Sequence, residues 1–319
     1  MVTMTSRRSL QKSPRILDLL APLISLLGLY VFITSFFLAK RSLPHASTCE
    51  EAAALLQSTL GLTKEDVDRL HNLHSSDSNG GCWMKRRVDS MIVVVIDALR
   101  FDFALHQLPR SIGARLYGDH HTSDSNNSTM LSSHSRLLQF VADPPTVTMQ
   151  RLKALTTGGL PTFADISGNM GGASVEEDTW IQQLKSVPHD PRRPRKISFV
   201  GDDTWLDLFP PPLLDEAYPY PSFNTRDLDT VDNGCLHHIP ALLKQVRDHE
   251  TEVMIVHFLG VDHVGHTYGP HNEHMDAKLK QMDQALVDML EYLDSQNDKE
   301  GSCSVAFIFG DHGMTEDGK

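Results

Sequence analysis

Four short apolar runs, each closing on an acidic residue, constrain this chain more than any other feature. Met91–Ile96 (MIVVVI) leads into Asp97, and Val253–Leu259 (VMIVHFL) into Gly260, Val261 and Asp262. Ser304–Phe309 (SVAFIF) leads into Gly310, Asp311 and His312, and Lys196–Val200 (KISFV) into Gly201, Asp202 and Asp203. A β-branched run without polar alternation is the pattern of a strand buried on both faces of a parallel sheet. Helical stretches separate the runs. The clearest is Met275–Leu293, where Leu279, Met282, Leu286, Met289 and Leu293 recur at three- and four-residue spacing. Strands alternating with helices predict an α/β fold with a doubly wound, mostly parallel sheet. Ligands of such sheets bind outside the carboxyl ends of the strands. A lone Asp after a strand is ordinarily a helix cap or turn residue. Here every run delivers one to the same edge, two of them beside histidines.

Those residues suit a metal. Asp262 and His266 lie four residues apart, Asp311 and His312 are adjacent, and Asp97 adds a third carboxylate. Carboxylate and imidazole without thiolate predict Zn²⁺ or Mn²⁺, and two such ions would clamp the entering and leaving oxygens of a phosphoryl transfer. A nucleophile is expected in PPTVTMQRLKALTTG at 144–158, where helical composition follows two prolines and runs to Gly158. Thr146 would then sit at a helix N-terminus, which favours a phosphate. An ordinary capping role fits Thr146 too, and Thr148 competes as nucleophile on the same evidence.

Residues 19–39 contain no charge, and as a helix they would span a hydrocarbon layer of about 30 Å. The bulky end of the run meets Lys40 and Arg41 without a small-residue cleavage site, so an uncleaved anchor is expected. Arg7, Arg8, Lys12 and Arg15 precede it, which keeps residues 1–18 cytosolic and sends the rest across. Residues 40–88 read as a stalk and lead-in with a short helix at 49–57, and 89–319 as the lumenal catalytic domain. Asn126 and Asn127 open two overlapping glycosylation sequons, and all four cysteines follow the span. Together these favour the endoplasmic reticulum membrane with the catalytic domain lumenal. Cys49 and Cys82 bracket the lead-in and are expected to pair. The net charge of −12 excludes long-range attraction to nucleic acid, and 40% hydrophobic content excludes a disordered tail. Asp202, Asp203 and Trp205 are candidates for contacting an ammonium group, by charge and cation–π attraction. Arg192–Lys196 could meet anionic headgroups but reads better as a solvated loop, and Asp227–Asn233 is a substrate wall or a helix start.

The chain resembles the glycosylphosphatidylinositol (GPI) ethanolamine phosphate transferases of the alkaline phosphatase superfamily. The likeness is carried by IDALR at 96–100, the 144–158 segment, GDDTW at 201–205, FLGVDHVGH at 258–266 and GDHGMT at 310–315, in that order from about Cys49 onward. GLPTF at 159–163 and GDDTWLDLFP at 201–210 lean toward members acting on the third mannose, with those acting on the second as nearest competitors. The resemblance implies Thr146 as nucleophile, one metal held by Asp97, Thr146, Asp311 and His312, and a second by Asp262 and His266. His263 becomes a neighbour. It further implies phosphatidylethanolamine as donor and a GPI mannose hydroxyl as acceptor, and leaves room for a small membrane partner subunit. In the family a His-Gly-Gly follows shortly after GMT, its His completing the second site, and a multi-spanning region comes later. This sequence stops at Lys319 before either, so a C-terminally truncated domain is expected. A phosphodiesterase of the same superfamily and a non-catalytic lumenal fragment are the competing readings.

Overall fold

The computed structural model describes residues 16–36, 46–75, 88–117, 135–160, 174–186, 195–297 and 303–318, with only the backbone in parts of the first three helices. Asn126, Asn127, Cys82, the side chain of Cys49 and most of the Arg192–Lys196 run lie outside the described residues.

Helix α1 (Ile16–Phe36) is followed by α2 (Cys49–Leu60) and α3 (Lys64–Ser75). Thr48 and Glu51 form a reciprocal capping box at the start of α2, and Gly61, left-handed at φ 64°, ends it. No helix among the described residues is long and apolar enough to cross a membrane. In α1, however, the described side chains run only from Leu20 to Ile33, every one exposed.

The α/β unit then begins with β1 (Ser90–Ile96), α4 (Phe101–His106) and α5 (Ala114–Tyr117). It continues through α6 (Thr148–Thr157), α7 (Trp180–Ser186), β2 (Ile197–Asp202), α8 (Thr204–Leu208) and β3 (Glu216–Tyr220). Helix α9 (Thr230–Arg247), β4 (Val253–Phe258), α10 (Gly260–Tyr268), α11 (Glu273–Asn297) and β5 (Ser304–Phe309) complete it. The five strands form one sheet in the order β3-β2-β4-β1-β5, with every neighbouring pair parallel. The mixed α/β architecture with a parallel sheet expected from the four runs is present. The strand missed is β3. Its Pro219 and flanking polar residues mask it, and a proline is tolerated there because β3 lies at the sheet edge.

Strand periodicity sorts the core into two layers. Ile92, Val94 and Ile96 pack with Leu242, Val246, Leu279, Met282 and Leu286, under α9 and α11. Val93 and Val95 point the other way, onto Leu152, Ile181, Trp205 and Phe209. Burying a Val or Ile side chain contributes roughly 1.5–3 kcal/mol, so β1, sealed on both faces, anchors the sheet. That rigidity fixes the carboxyl edge where the acidic residues emerge.

Candidate active site

Asp97 follows β1 directly, and its N–H donates to Phe258 O of β4 at 2.9 Å. The next residue, Ala98, adopts φ 56°, a left-handed conformation that costs an L-residue roughly 1–2 kcal/mol. The turn aims the Ala98 N–H at Asp311 Oδ1, 3.2 Å away. Close approach requires Gly310: a Cβ there would lie 2.7 Å from Leu99 O and 3.0 Å from His312 O. The ends of β1 and β5 are thus pressed together, and Asp97, Asp311 and His312 converge.

Asp97 and Asp311 are both 0% exposed. His312 Nε2 lies 3.2 Å from Asp97 Oδ1 and 3.6 Å from Asp311 Oδ2. Neither carboxylate oxygen has a hydrogen-bond partner. The other ring nitrogen settles the reason. His312 Nδ1 is 2.8 Å from Gly313 O, and a carbonyl only accepts, so Nδ1 carries the proton. Nε2 therefore faces the two carboxylates, and it offers them a lone pair only when the ring is neutral. Two buried carboxylate oxygens facing each other across an imidazole nitrogen require a cation or a proton between them. The set fits a divalent metal, with the imidazole oriented by a backbone carbonyl as ligating histidines usually are. The electrostatics agree. Burial, with Asp311 and Asp262 alongside, holds the Asp97 carboxyl well above its usual range, with His312 opposing. Burial alone would lower His312, but Asp311 and Asp97 raise it on balance.

Helix α6 brings up the threonines. It begins at Thr148 with Val147 as N-cap, and Gly158, left-handed at φ 70°, closes it. Thr146 is therefore exposed and one residue outside the cap, not at it. Thr148 Oγ1 donates to Asp97 Oδ2 at 3.1 Å. Arg151, buried one turn later, donates from Nε to Asp311 O at 3.0 Å and from Nη1 to Asp143 O at 3.2 Å. This residue passed unnoticed in sequence, where it reads as an ordinary helix-surface charge. It ties the approach to α6 onto the turn after β5.

Asp262 and His266 lie on α10 at i and i+4, with His266 Nε2 3.4 Å from Asp262 Oδ1. Their side chains are 15% and 42% exposed. Burial raises the Asp262 carboxyl, with His266 and His312 pulling it down. His263 is held at Nδ1 by Asp227 O, 2.7 Å away. The first turn of α10 is fixed by Asp232, whose Oδ1 accepts from Leu259 N and Gly260 N at 2.9 and 3.0 Å. Lys278 Nζ balances it at 3.0 Å. Asp232 lay within an acidic stretch suggested as a substrate wall, and the structure places it inside as a helix clamp.

Of Asp202, Asp203 and Trp205, the expectation is corrected for the Trp205 ring. Asp202 Oδ1 accepts from Thr204 N at 2.8 Å, and Asp203 Oδ1 from Ser222 Oγ at 2.7 Å. Trp205 is 2% exposed and packs between Phe199, Phe209 and His257. No ring face is open to an ammonium group.

Residues 171–317 match the type I phosphodiesterase / nucleotide pyrophosphatase family model. The catalytic subunit of human (Homo sapiens) GPI ethanolamine phosphate transferase 3 is 41% identical over 295 residues, 91% of this chain and 24% of that protein. GPI ethanolamine phosphate transferase 2 of Schizosaccharomyces pombe is 34% identical over 255 residues, 77% of this chain and 31% of that protein. Among solved structures, the lipoteichoic acid synthase LtaP of Listeria monocytogenes is similar with a TM-score of 0.46 at 13% identity, over 83% of this chain and 63% of that one. The chain spans about a quarter of the length of the transferase 3 relatives from human and mouse. Over the residues it shares with these relatives, the chain belongs to the GPI ethanolamine phosphate transferase family.

Proposed function

We propose that this chain is the catalytic domain of an ethanolamine phosphate transferase. It moves the group from phosphatidylethanolamine to a mannose of the GPI precursor, the third by its similarity to transferase 3. One observation carries the chemistry: Asp97 Oδ1, Asp311 Oδ2 and His312 Nε2 converge without a donor, beside a helix that opens on Thr148. Asp97, Asp311 and His312, with a threonine, would hold one divalent ion, zinc or manganese, and Asp262 with His266 would hold a second. Ions bound there supply charge stabilisation to the phosphoryl group and lower the pKa of a coordinated hydroxyl.

The protein's own part is positional. A threonine hydroxyl attacks phosphorus, the phosphorus–oxygen bond to diacylglycerol breaks, and the leaving alkoxide takes a proton. A mannose hydroxyl then attacks the phosphothreonine ester, loses its proton and regenerates the threonine. The free N–H groups at the start of α6 favour a phosphate in that position.

The family resemblance puts the nucleophile at Thr146. A second reading takes Thr148, favoured by its hydroxyl bonding to Asp97, a contact that Thr146 does not make among the described residues. Incubating the protein with phosphatidylethanolamine and trapping the phosphorylated peptide by mass spectrometry tests both. Modification of neither threonine, with hydrolysis of a soluble phosphodiester instead, would favour the phosphodiesterase reading.

The proposal extends to topology. Helix α1 has 21 residues, which at 1.5 Å each is about 31 Å, the thickness of a hydrocarbon core. Leu23, Ile24, Leu26 and Leu27 are all exposed on it. We assign the charge-free run 19–39, which α1 covers as far as Phe36, as the anchor, with the catalytic domain in the endoplasmic reticulum lumen, Asn126 and Asn127 open to glycosylation, and Cys49 paired with Cys82. Glycosidase treatment after expression in microsomes should shift the mobility of the chain. Protection of the domain from the lumen-directed enzymes would reverse the orientation.

A further inference from the structure

A second group of ligand-type side chains surrounds Asp97. His257 of β4 and Asp202 at the end of β2 bring ligand atoms within 4.8 Å of one another and of Asp97. All three residues are buried. His257 Nε2 has no hydrogen-bond partner, and its nearest charged neighbour is Asp97 Oδ2 at 3.7 Å. By residue type this is as good a metal site as the first.

The opposite nitrogen rules that out. Trp205 Nε1 lies 2.9 Å from His257 Nδ1. An indole N–H has no lone pair and can only donate, so Nδ1 must accept. The ring proton is therefore on Nε2, the atom that faces Asp97, and no lone pair is available to a cation there. His257 and His312 flank one carboxylate with opposite nitrogens engaged: His312 donates from Nδ1 to a backbone carbonyl and faces Oδ1 with Nε2, and His257 accepts at Nδ1 and faces Oδ2 with an Nε2–H. The backbone that carries the ring is closely held. Gly201, at φ 135°, packs so closely that a Cβ would fall 2.2 Å from His257 O, and Cys235 Sγ donates to the same oxygen at 3.5 Å.

We propose that His257 is a positioning residue for Asp97, a fixed hydrogen-bond donor locked by Trp205 and not a metal ligand. Thr148 and His257 then both address Oδ2, leaving Oδ1 free to face His312 and Asp311. Closing 3.7 Å to a hydrogen bond requires a shift of less than about 1 Å. The proposal rests on the reading of Asp97 as a cation ligand, but its first test needs no ion.

The experiment uses the whole chain in detergent with ¹⁵N-labelled histidine, stripped by chelator. His257→Gln identifies the His257 signals by their disappearance. In metal-free protein His257 should show the Nε2–H tautomer and His312 the Nδ1–H tautomer. Added zinc should shift the His312 Nε2 resonance and leave His257 as a non-ligand. An Nδ1–H tautomer at His257, or direct zinc shifts at its Nε2, overturns the proposal. Zinc affinity supplies the second arm. His257→Gln keeps an acceptor for Trp205 and a donor for Asp97, so it should bind within about threefold of wild type. His257→Leu and Trp205→Phe should lose roughly 10–100-fold, the usual effect of removing a partner behind a ligand. Retention of full affinity by a folded His257→Leu variant also overturns it. If Leu does not fold, the Gln rescue and the tautomer decide. Failure of the wild type to bind zinc at all would sink the Asp97 metal reading itself, while the tautomer still tests the role of His257.

Discussion

The two groups of candidate ligands at the carboxyl edge are built on different principles. Asp97, Asp311 and His312 sit on turns that leave adjacent strands, with both carboxylates sealed from water. Asp262 and His266 ride on one helix, and His266 remains 42% exposed. The first group is fixed by the sheet, by Gly310 and by Arg151. The second depends on how Asp232 and Lys278 hold the start of α10. A site shared between strand ends is preorganised by the core and should bind its ion tightly. A site on a helix face borrows its position from a clamp and should bind less tightly.

The largest effect should come from the sealed group. Asp97→Ala or Asp311→Ala is expected to remove the tighter ion and reduce transfer by about 100-fold or more, since several kcal/mol of charge stabilisation disappear. Metal analysis with transfer assays checks this, and retention of two ions would break the comparison. The threonines come next. With Thr148 as nucleophile, Thr148→Ala should lose at least about 100-fold while Thr146→Ala keeps most activity. The opposite result would return the role to Thr146. Either substitution at this helix start should cost only about 1 kcal/mol of stability, which denaturant unfolding can confirm. A smaller change is expected at α10. His266→Ala should weaken one of two ions and leave the other in place, so titration calorimetry should show loss of the weaker phase alone. Asp232→Asn should weaken that same phase by about 10-fold through a looser helix start.

The smallest expected effect concerns pH. Asp97 and Asp262 have carboxyls raised in the folded chain. The folded state therefore binds these protons more tightly than the unfolded state. Metal-free protein gains stability as pH falls through the raised values toward the usual carboxylate range, and loses it as pH rises through them. Zinc should reverse the trend, because it binds the deprotonated groups. Thermal unfolding between about pH 5 and pH 8, with chelator or with zinc, reads both slopes. A chelated protein that becomes steadily more stable with rising pH would contradict the buried-carboxylate picture.

Much of this site was legible before any coordinates, because strand runs broadcast their own ends. Asp97 and Asp311 follow unbroken apolar segments, and a parallel sheet can only deliver them to one edge. What stayed hidden depends on partners far away in sequence. His257 lies inside an apolar run and reads as strand filling until Trp205, 52 residues away, is seen at its Nδ1. Asp232 reads as one acid among several until α10 is laid over it. Trp205 misled for the mirror-image reason. Beside two aspartates it has the composition of an ammonium pocket, but its indole is used in the core, and composition does not report which way a ring faces. The start of α6 came one residue later than the composition suggested, with Val147 and not Thr146 as its N-cap.

The crossing of β5 over the turn after β1 also limits which sequences can carry this site. Gly310 admits no side chain, since even a methyl group would meet Leu99 O at 2.7 Å. Ala98 sits in the left-handed region, so its tolerated alphabet shrinks to glycine, alanine and the short polar residues that visit that region; a β-branched residue there is excluded. Two small residues, neither with any chemistry of its own, are therefore as constrained as the aspartates beside them. A saturation library across this chain should show them as two narrow columns flanking the acidic positions, intolerant of nearly every exchange.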